Sequence, residues 1–260
     1  MQKCSLTCFG VGDGWPCADR NHASFLYRFG TTSFLVDCGE PVDRCLKASG
    51  LSYDSIDAIF LSHMHSDHMA GLFMLTQGLW LERRKRDLPV HLPGNAIKPL
   101  REMFNTALLF DELLQFRRKF VALKPGRHSL VNNVRVTPFP TSHLDGLRTR
   151  FGKKYPGRFS AFCFLIEAGK LRIGHSADLG HTTDLEPLLK KPLDLLVCEL
   201  SHFEPVRMFD YLRGRKIGKA VFMHLSEAQW RNLPKLRQLA ARALPDVPHH
   251  FASDGEEFTL

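Results

Sequence analysis

The sequence has no apolar run approaching the ~20 residues that a membrane-crossing helix needs, which excludes a helical membrane protein. It has no C-x-x-C pair. Its seven cysteines, at 4, 8, 17, 38, 45, 163 and 198, form an odd and unpatterned set, the mark of reduced thiols in a cytoplasmic protein. The opening stretch from Met1 to Gly10 lacks the roughly 7–15-residue apolar segment and the cleavage site of a secretory signal. Internal repeats, low-complexity tracts and linkers rich in Ser, Gly or Pro are also missing, so one domain spanning residues 1–260 is expected. With 44% hydrophobic and 24% charged residues, the chain is neither disordered nor fibrous, and its length buries a core without disulfide support.

What the sequence has in excess is positive charge and histidine. Lys plus Arg number 35 against 27 Asp plus Glu, a net charge of +8. The excess gathers in Glu82–Arg86, Arg117–Lys119 and Arg148–Arg158, segments that favour polyanions such as RNA. Histidines number 13.

Short β-type runs recur at Ser5–Phe9, Ser24–Phe29, Thr32–Asp37, Ala58–Ser62, Val134–Phe139, Ala161–Glu167, Lys170–His175, Leu193–Glu199, Ala220–His224 and Phe258–Leu260. Gly30-Thr31 and Ala168-Gly169 read as hairpin turns. Helical spacing marks Asp67–Leu81, with Ser66 as N-cap, and Ile97–Leu109; Leu185–Leu189 and Leu233–Ala243 are further candidates. Strands with helices interspersed give an α/β or α+β layered architecture.

The most informative segment is Phe60-Leu-Ser-His63-Met-His65-Ser-Asp67-His68, which reads H-x-H-x-D-H. Chance supplies this pattern in roughly one sequence of this composition in 500. His63 and His65 leave a strand on the same side of an extended chain, and Asp67 and His68 fall at a helix start. Four ligand-type side chains therefore converge on one strand–loop–helix corner.

On these residues the chain resembles the metallo-β-lactamase superfamily, whose hallmark is this signature. The superfamily's other motifs appear in order. Val36-Asp37-Cys-Gly-Glu40 resembles the acidic first motif, Thr141-Ser-His143 the third-motif histidine, Gly174-His-Ser-Ala-Asp178 the bridging-aspartate motif, and Phe222-Met-His224 the terminal histidine. The resemblance implies a four-layer αββα sandwich with two divalent ions. His63, His65 and His143 would hold one, Asp67, His68 and His224 the other, with Asp178 bridging. Neutral imidazoles and carboxylates suit Zn²⁺, and also Mn²⁺ or Fe²⁺. Asp37 would orient a ligand from behind. A metal-bridging hydroxide would attack the substrate.

Phe9-Gly-Val-Gly-Asp-Gly-Trp-Pro16-Cys-Ala-Asp-Arg-Asn21 resembles the opening of ribonuclease Z-type enzymes, with their P-x-K-x-R-N motif; here Ala18 stands at the lysine position. Asp194–Glu199 matches the strand leading to that branch's His-Glu-Ala-Thr, with Glu199 at the glutamate and Cys198 in place of the histidine. Only 178 − 143 = 35 positions separate His143 from Asp178, too few for the long tRNA-gripping arm of tRNA-processing members. The resemblance therefore implies a phosphodiesterase acting on RNA or on a nucleotide or cyclic phosphodiester, with a homodimer as the family analogy. His202, three residues past Glu199, and Asp67 are the two candidates for proton transfer, and His175 and His181 flank Asp178. Two other readings use the same residues: hydrolysis of a carbonyl substrate such as a lactone, thioester or β-lactam, and a non-catalytic metal-binding module.

Overall fold

The computed structural model describes residues 4–260; Met1–Lys3, where the reading of the leader begins, lie outside the described residues. Seven strands of the first sheet come from β1 (Cys4–Gly10), β2 (Ser24–Phe29), β3 (Thr32–Val36), β4 (Ala58–Phe60), β5 (Leu88–Pro93), β6 (Arg118–Leu123) and, from the far end of the chain, β14 (Glu256–Thr259). Their order is β14-β1-β2-β3-β4-β5-β6. Pairing is antiparallel from β14 to β3 and parallel from β3 to β6. Parallel neighbours need crossovers, and helices α1 (Val42–Ala48), α2 (Ser66–Met69), α3 (Gly71–Leu81) and α4 (Ile97–Thr106) provide them. With the segments that join them, these elements form one compact unit.

A second unit repeats the plan. It contains β7 (Ser129–Val131), β8 (Val134–Thr141), β9 (Ala161–Ala168), β10 (Leu171–His175), β11 (Leu195–Glu199), β12 (Ala220–Met223) and β13 (His249–Phe251), in the order β13-β12-β11-β10-β9-β8-β7. Here β10 to β13 pair in parallel and β7 to β10 antiparallel. Its helices are α5 (Asp145–Phe151), α6 (Glu186–Leu189), α7 (Pro205–Leu212), α8 (Glu227–Arg231) and α9 (Leu233–Ala243). The fold class read from the sequence thus appears as two mixed seven-stranded sheets with flanking helices.

Strands β3, β4, β11 and β12 are buried at every position, which is why they read as apolar runs instead of alternating. In the first unit Leu35 and Ile59 meet Leu46 of α1, Leu72, Leu75 and Leu79 of α3, and Leu100 and Phe104 of α4. The core of the second joins Leu196, Cys198 and Phe222 to Met208, Phe209 and Leu212 of α7 and Leu236 and Ala240 of α9. Each unit thereby closes its own apolar core. No helix among the described residues is long and apolar enough to cross a membrane.

Several local expectations shift. The helix read over Asp67–Leu81 is broken into α2 and α3, and His65, not Ser66, is the residue before its first turn. Gly30 takes a left-handed φ of 61° in the turn between Phe29 and Thr32, as expected. The second hairpin turns one residue later, at Gly169-Lys170, because Ala168 still pairs with Leu171.

The basic clusters change meaning more. Arg84 is buried and donates to the carbonyls of Tyr53, Ile56, Arg86 and Asp87. Arg86 pairs with Asp57, Arg117 and Lys119 with Asp87, and Arg118 with Asp111. Most of the charge at 82–86 and 117–119 therefore holds the first unit together, which corrects its reading as a polyanion track. In the third segment Arg148 pairs with Asp145, while Arg150, Lys153, Lys154 and Arg158 stay exposed.

Across the first sheet Tyr27, Phe34, Phe60 and His91 form a buried aromatic row, with His91 stacked on Phe60 at 4.4 Å between centroids. Burial pushes the His91 pKa down from 6.5 to about 4. The unfolded chain binds this proton between those values and the folded chain does not, so His91 contributes stability above pH ~6.5 that is lost as the pH falls toward 4. The full difference amounts to about 3 kcal/mol. His91→Phe, which keeps the stacked ring, should flatten the fall in denaturation midpoint between pH 6.5 and 4; an unchanged pH profile would place the acid lability elsewhere.

Candidate metal centre

In each unit the ligand-type residues leave the carboxyl edge of the sheet, where open α/β sheets place their sites. In the first unit Asp37 follows β3, and Ser62, His63 and His65 follow β4, with Asp67 and His68 in α2. Asp37 is fully buried and sits at a left-handed φ of 60°. Its Oδ1 accepts the Ser62 backbone N–H at 2.7 Å. Its Oδ2 accepts from the Ser62 hydroxyl at 2.9 Å and from His68 Nδ1 at 2.8 Å. Ser62 Oγ lies 2.9 Å from His63 Nδ1. Because the Ser62 proton points at the carboxylate, its oxygen accepts from His63. One carboxylate therefore fixes the Nδ1–H tautomer of both His63 and His68 and leaves each Nε2 as the nitrogen available to a metal.

Those nitrogens are grouped. His63 Nε2 is 3.1 Å from His65 Nδ1, and His68 Nε2 is 3.3 Å from Asp67 Oδ2. The backbone allows this only through a glycine. A Cβ on Gly39 would come within 2.2 Å of the Asp67 carbonyl, and Cys38 N–H donates to the His68 carbonyl at 2.7 Å. The Asp37-Cys38-Gly39 turn is thus the bed on which the H-x-H-x-D-H loop lies.

In the second unit His143 follows β8, Asp178 follows β10, Glu199 ends β11 and His224 follows β12. Asp178 is buried, with Oδ2 at 3.6 Å from His143 Nε2 and Oδ1 at 3.3 Å from His224 Nε2. Its two oxygens diverge toward different imidazoles. His202 packs edge-on to the His143 ring at 4.6 Å, and its Nε2 is 3.7 Å from Asp178 Oδ2. Glu199, fully buried, accepts from Leu179 N–H at 2.9 Å and lies 2.9 Å from His202 Nδ1. It therefore holds the residue next to Asp178 and also the His202 ring. His224 and Ala177 take left-handed φ values of 53° and 45°, a strain that clusters at functional positions.

The sequence reading missed several supports. Asp184 accepts from the backbone of Ser142, Gly180 and His181 and from the Ser142 hydroxyl, so one carboxylate ties the loop of His143 to the loop after Asp178. Gly180 is required there, since a Cβ would meet the Ser142 carbonyl at 2.5 Å. Gln229 donates to the Leu200 carbonyl and accepts from Ser226 N–H, linking the loop of His202 to the loop of His224. Ser62 was legible as the residue before the first histidine; Asp184 and Gln229 carry no local pattern that separates them from ordinary helix-start residues. His175 is buried within β10, and the exposed His181 bonds Thr183. Cys198 lies in the apolar core, where burial pushes its thiol well above the ordinary range, so it is packing and not a nucleophile.

The first unit brings His63, His65, Asp67 and His68 together, and the second sets Asp178 between His143 and His224, all of them residue types that hold a divalent ion. The donor chemistry fits. Neutral imidazoles and carboxylates are the ligands of a divalent ion, and atoms about 3.3 Å apart span the edge of a tetrahedron around an ion with ~2.0–2.1 Å bonds.

Two mixed sheets carrying histidine and aspartate donors at their carboxyl edges are the plan of the metallo-β-lactamase fold. Residues 32–243 match the model of the β-lactamase superfamily domain, and the chain belongs to that superfamily. It is 31% identical over 139 residues to a ribonuclease Z of Archaeoglobus fulgidus, covering 54% of this chain and 44% of that protein. The match thus spans less than half the length of that curated relative. Among solved structures, the metallo-β-lactamase fold protein YhfI of Bacillus subtilis aligns over 100% of both chains with a TM-score of 0.79 at 20% identity. The short form of human tRNase Z aligns over 98% of both with a TM-score of 0.73 at 18% identity. These likenesses establish the expected four-layer αββα fold class.

The Asp37 network generates a test. Asp37→Asn tolerates the left-handed backbone and keeps an acceptor for Ser62 N–H, but its amide cannot accept from both Ser62 and His68. Metal affinity measured by chelator competition should fall ~10–100-fold, with the melting temperature of metal-free protein nearly unchanged. Wild-type affinity in this variant would show that Asp37 does not orient the ligands.

Proposed function

We propose that residues 1–260 act as one metallo-β-lactamase-like domain, a phosphodiesterase using two divalent ions, with Zn²⁺ favoured and Mn²⁺ or Fe²⁺ compatible with the same donors. The observation that carries this reading is the divergence of the two Asp178 oxygens, one toward His143 and one toward His224, the arrangement of a carboxylate shared by two ions. His63, His65 and His143 would complete one site and Asp67, His68 and His224 the other. When bound, the ions supply a water of lowered pKa and offset the negative charge that builds on the phosphoryl oxygens. Support for a phosphodiester comes from the ribonuclease Z relatives, from the Pro16–Asn21 motif and from the exposed cations of 150–158. RNA fits the last of these.

The reaction needs a proton at the leaving oxygen. Water adds to phosphorus, the bond from phosphorus to the leaving oxygen breaks with its electron pair, and that oxygen takes a proton. His202 is the proton donor in this reading. Glu199 holds its Nδ1, so its Nε2 faces Asp178 and the reacting centre. Asp67, at the other end of the ligand set, is the alternative carrier of the proton from the attacking water.

Metal analysis of the loaded protein should give close to two ions per chain, and His63→Ala and Asp178→Ala should each abolish hydrolysis of bis-p-nitrophenyl phosphate while the fold survives. A fully active preparation holding one ion would overturn the two-metal reading. Turnover of a lactone or of nitrocefin, with no turnover of diesters, would replace the phosphodiester with a carbonyl substrate.

His202 is tested by leaving group. His202→Ala should lower turnover of a diester with a poor alkoxide leaving group ~10²–10⁴-fold, and should lower turnover of a p-nitrophenyl ester far less. Equal losses on both, with metal content retained, would make His202 a structural residue.

A further inference from the structure

The second unit contains a cavity of about 680 Å³ that begins at His202, and its volume falls in the ~300–1,000 Å³ range of small-molecule sites. Phe203 and Leu239 give it apolar walls. Gln229 lines it with both ends of its amide already bonded, to Leu200 and Ser226, so that wall is fixed. Lys235, Leu239 and Arg242 stand at i, i+4 and i+7 of α9 and share one face of the helix. An exposed leucine between two cations thus faces the cavity.

The charge here differs from that of the clusters at 82–86 and 117–119. Arg86, Arg117, Arg118 and Lys119 are all paired with carboxylates, whereas neither Lys235 nor Arg242 has a carboxylate partner among the described residues. An apolar ledge bracketed by unpaired cations, in a cavity that the Phe203 ring and the Glu204 carboxylate also line, matches a planar base joined to an anionic group.

We propose that this cavity receives the leaving-group side of the substrate, in the form of a nucleotide that bears a second phosphate. The base lies between Phe203 and Leu239, and Lys235 and Arg242 hold the second phosphate. This rests on the phosphodiester reading, in which His202 marks the leaving-oxygen side of the centre. It narrows the substrate class to a linear oligonucleotide. In a cyclic nucleotide the leaving oxygen stays on the same sugar, and there is no second phosphate to hold.

The test compares two linear substrates on the metal-loaded protein: a diuridylate with a phosphate at each end and the same dinucleotide without them. The terminal phosphates should raise kcat/KM about tenfold, the effect of two exposed cations. The double variant Lys235→Ala/Arg242→Ala, both exposed positions, should erase that ratio. Binding of uridine 3′,5′-bisphosphate to the loaded protein should weaken by a similar factor in the variant. If diesters are cleaved but terminal phosphates bring no gain, or the gain survives in the variant, the cavity proposal is overturned and the phosphodiester reading stands. If the bisphosphate binds with the predicted dependence and no diester is cleaved, the phosphodiester reading fails and the cavity stands as a nucleotide site.

Discussion

The buried carboxylate of Asp37 is the constraint on which the first unit's ligand set depends. A carboxylate without water is held only by hydrogen bonds, and Asp37 has three: Ser62 N–H, Ser62 Oγ–H and His68 Nδ1–H. Satisfying it aligns β3 with the start of the H-x-H-x-D-H loop, selects one tautomer for two imidazoles and turns their Nε2 atoms outward. The cost of leaving that charge unpaired is what makes the arrangement specific. The left-handed backbone at Asp37 and the absent side chain at Gly39 belong to the same constraint, because together they let the loop settle against the turn.

The second unit solves the same problem with two carboxylates. Glu199 lies under Asp178 and His202, and Asp184 joins the turn before His143 to the turn after Asp178. Each accepts backbone N–H groups from loops, and loops are where backbone donors otherwise lack partners. In both units, then, acidic residues that bind no metal in this reading do the placing, and the histidines follow. Such residues matter as much as ligands for the precision of a metal centre.

The charge of +8 is distributed by the same economy of partners. Arg86, Arg117 and Arg118 near the first sheet are neutralised by Asp57, Asp87 and Asp111, Arg84 is tied down by carbonyls, and all four act as rivets between strand ends. The run from Arg150 to Arg158 and the Lys235–Arg242 face are among the cations that stay exposed. Charge counted along a sequence overstates the charge presented by a surface, because a neighbour 30 positions away can cancel it.

Local chemistry carried much of the molecule. Apolar runs such as Thr32–Val36 and Leu195–Glu199 announce strands because a strand buried on both faces needs no alternation, and Gly30 announces its turn because its φ is positive. The H-x-H-x-D-H loop, Asp37, His143, Asp178 and His224 were legible as donor types at strand ends. Strands β5, β6, β7 and β13 were not, being short or broken by proline and charge, and neither was the break at Ala70 between α2 and α3. Only the tertiary structure decided that Asp184 and Gln229 tie loops together, that Arg84 is buried, and that His202 sits against Asp178. Each of those facts depends on a partner from 24 to 42 positions away, and no local spacing encodes such a partner.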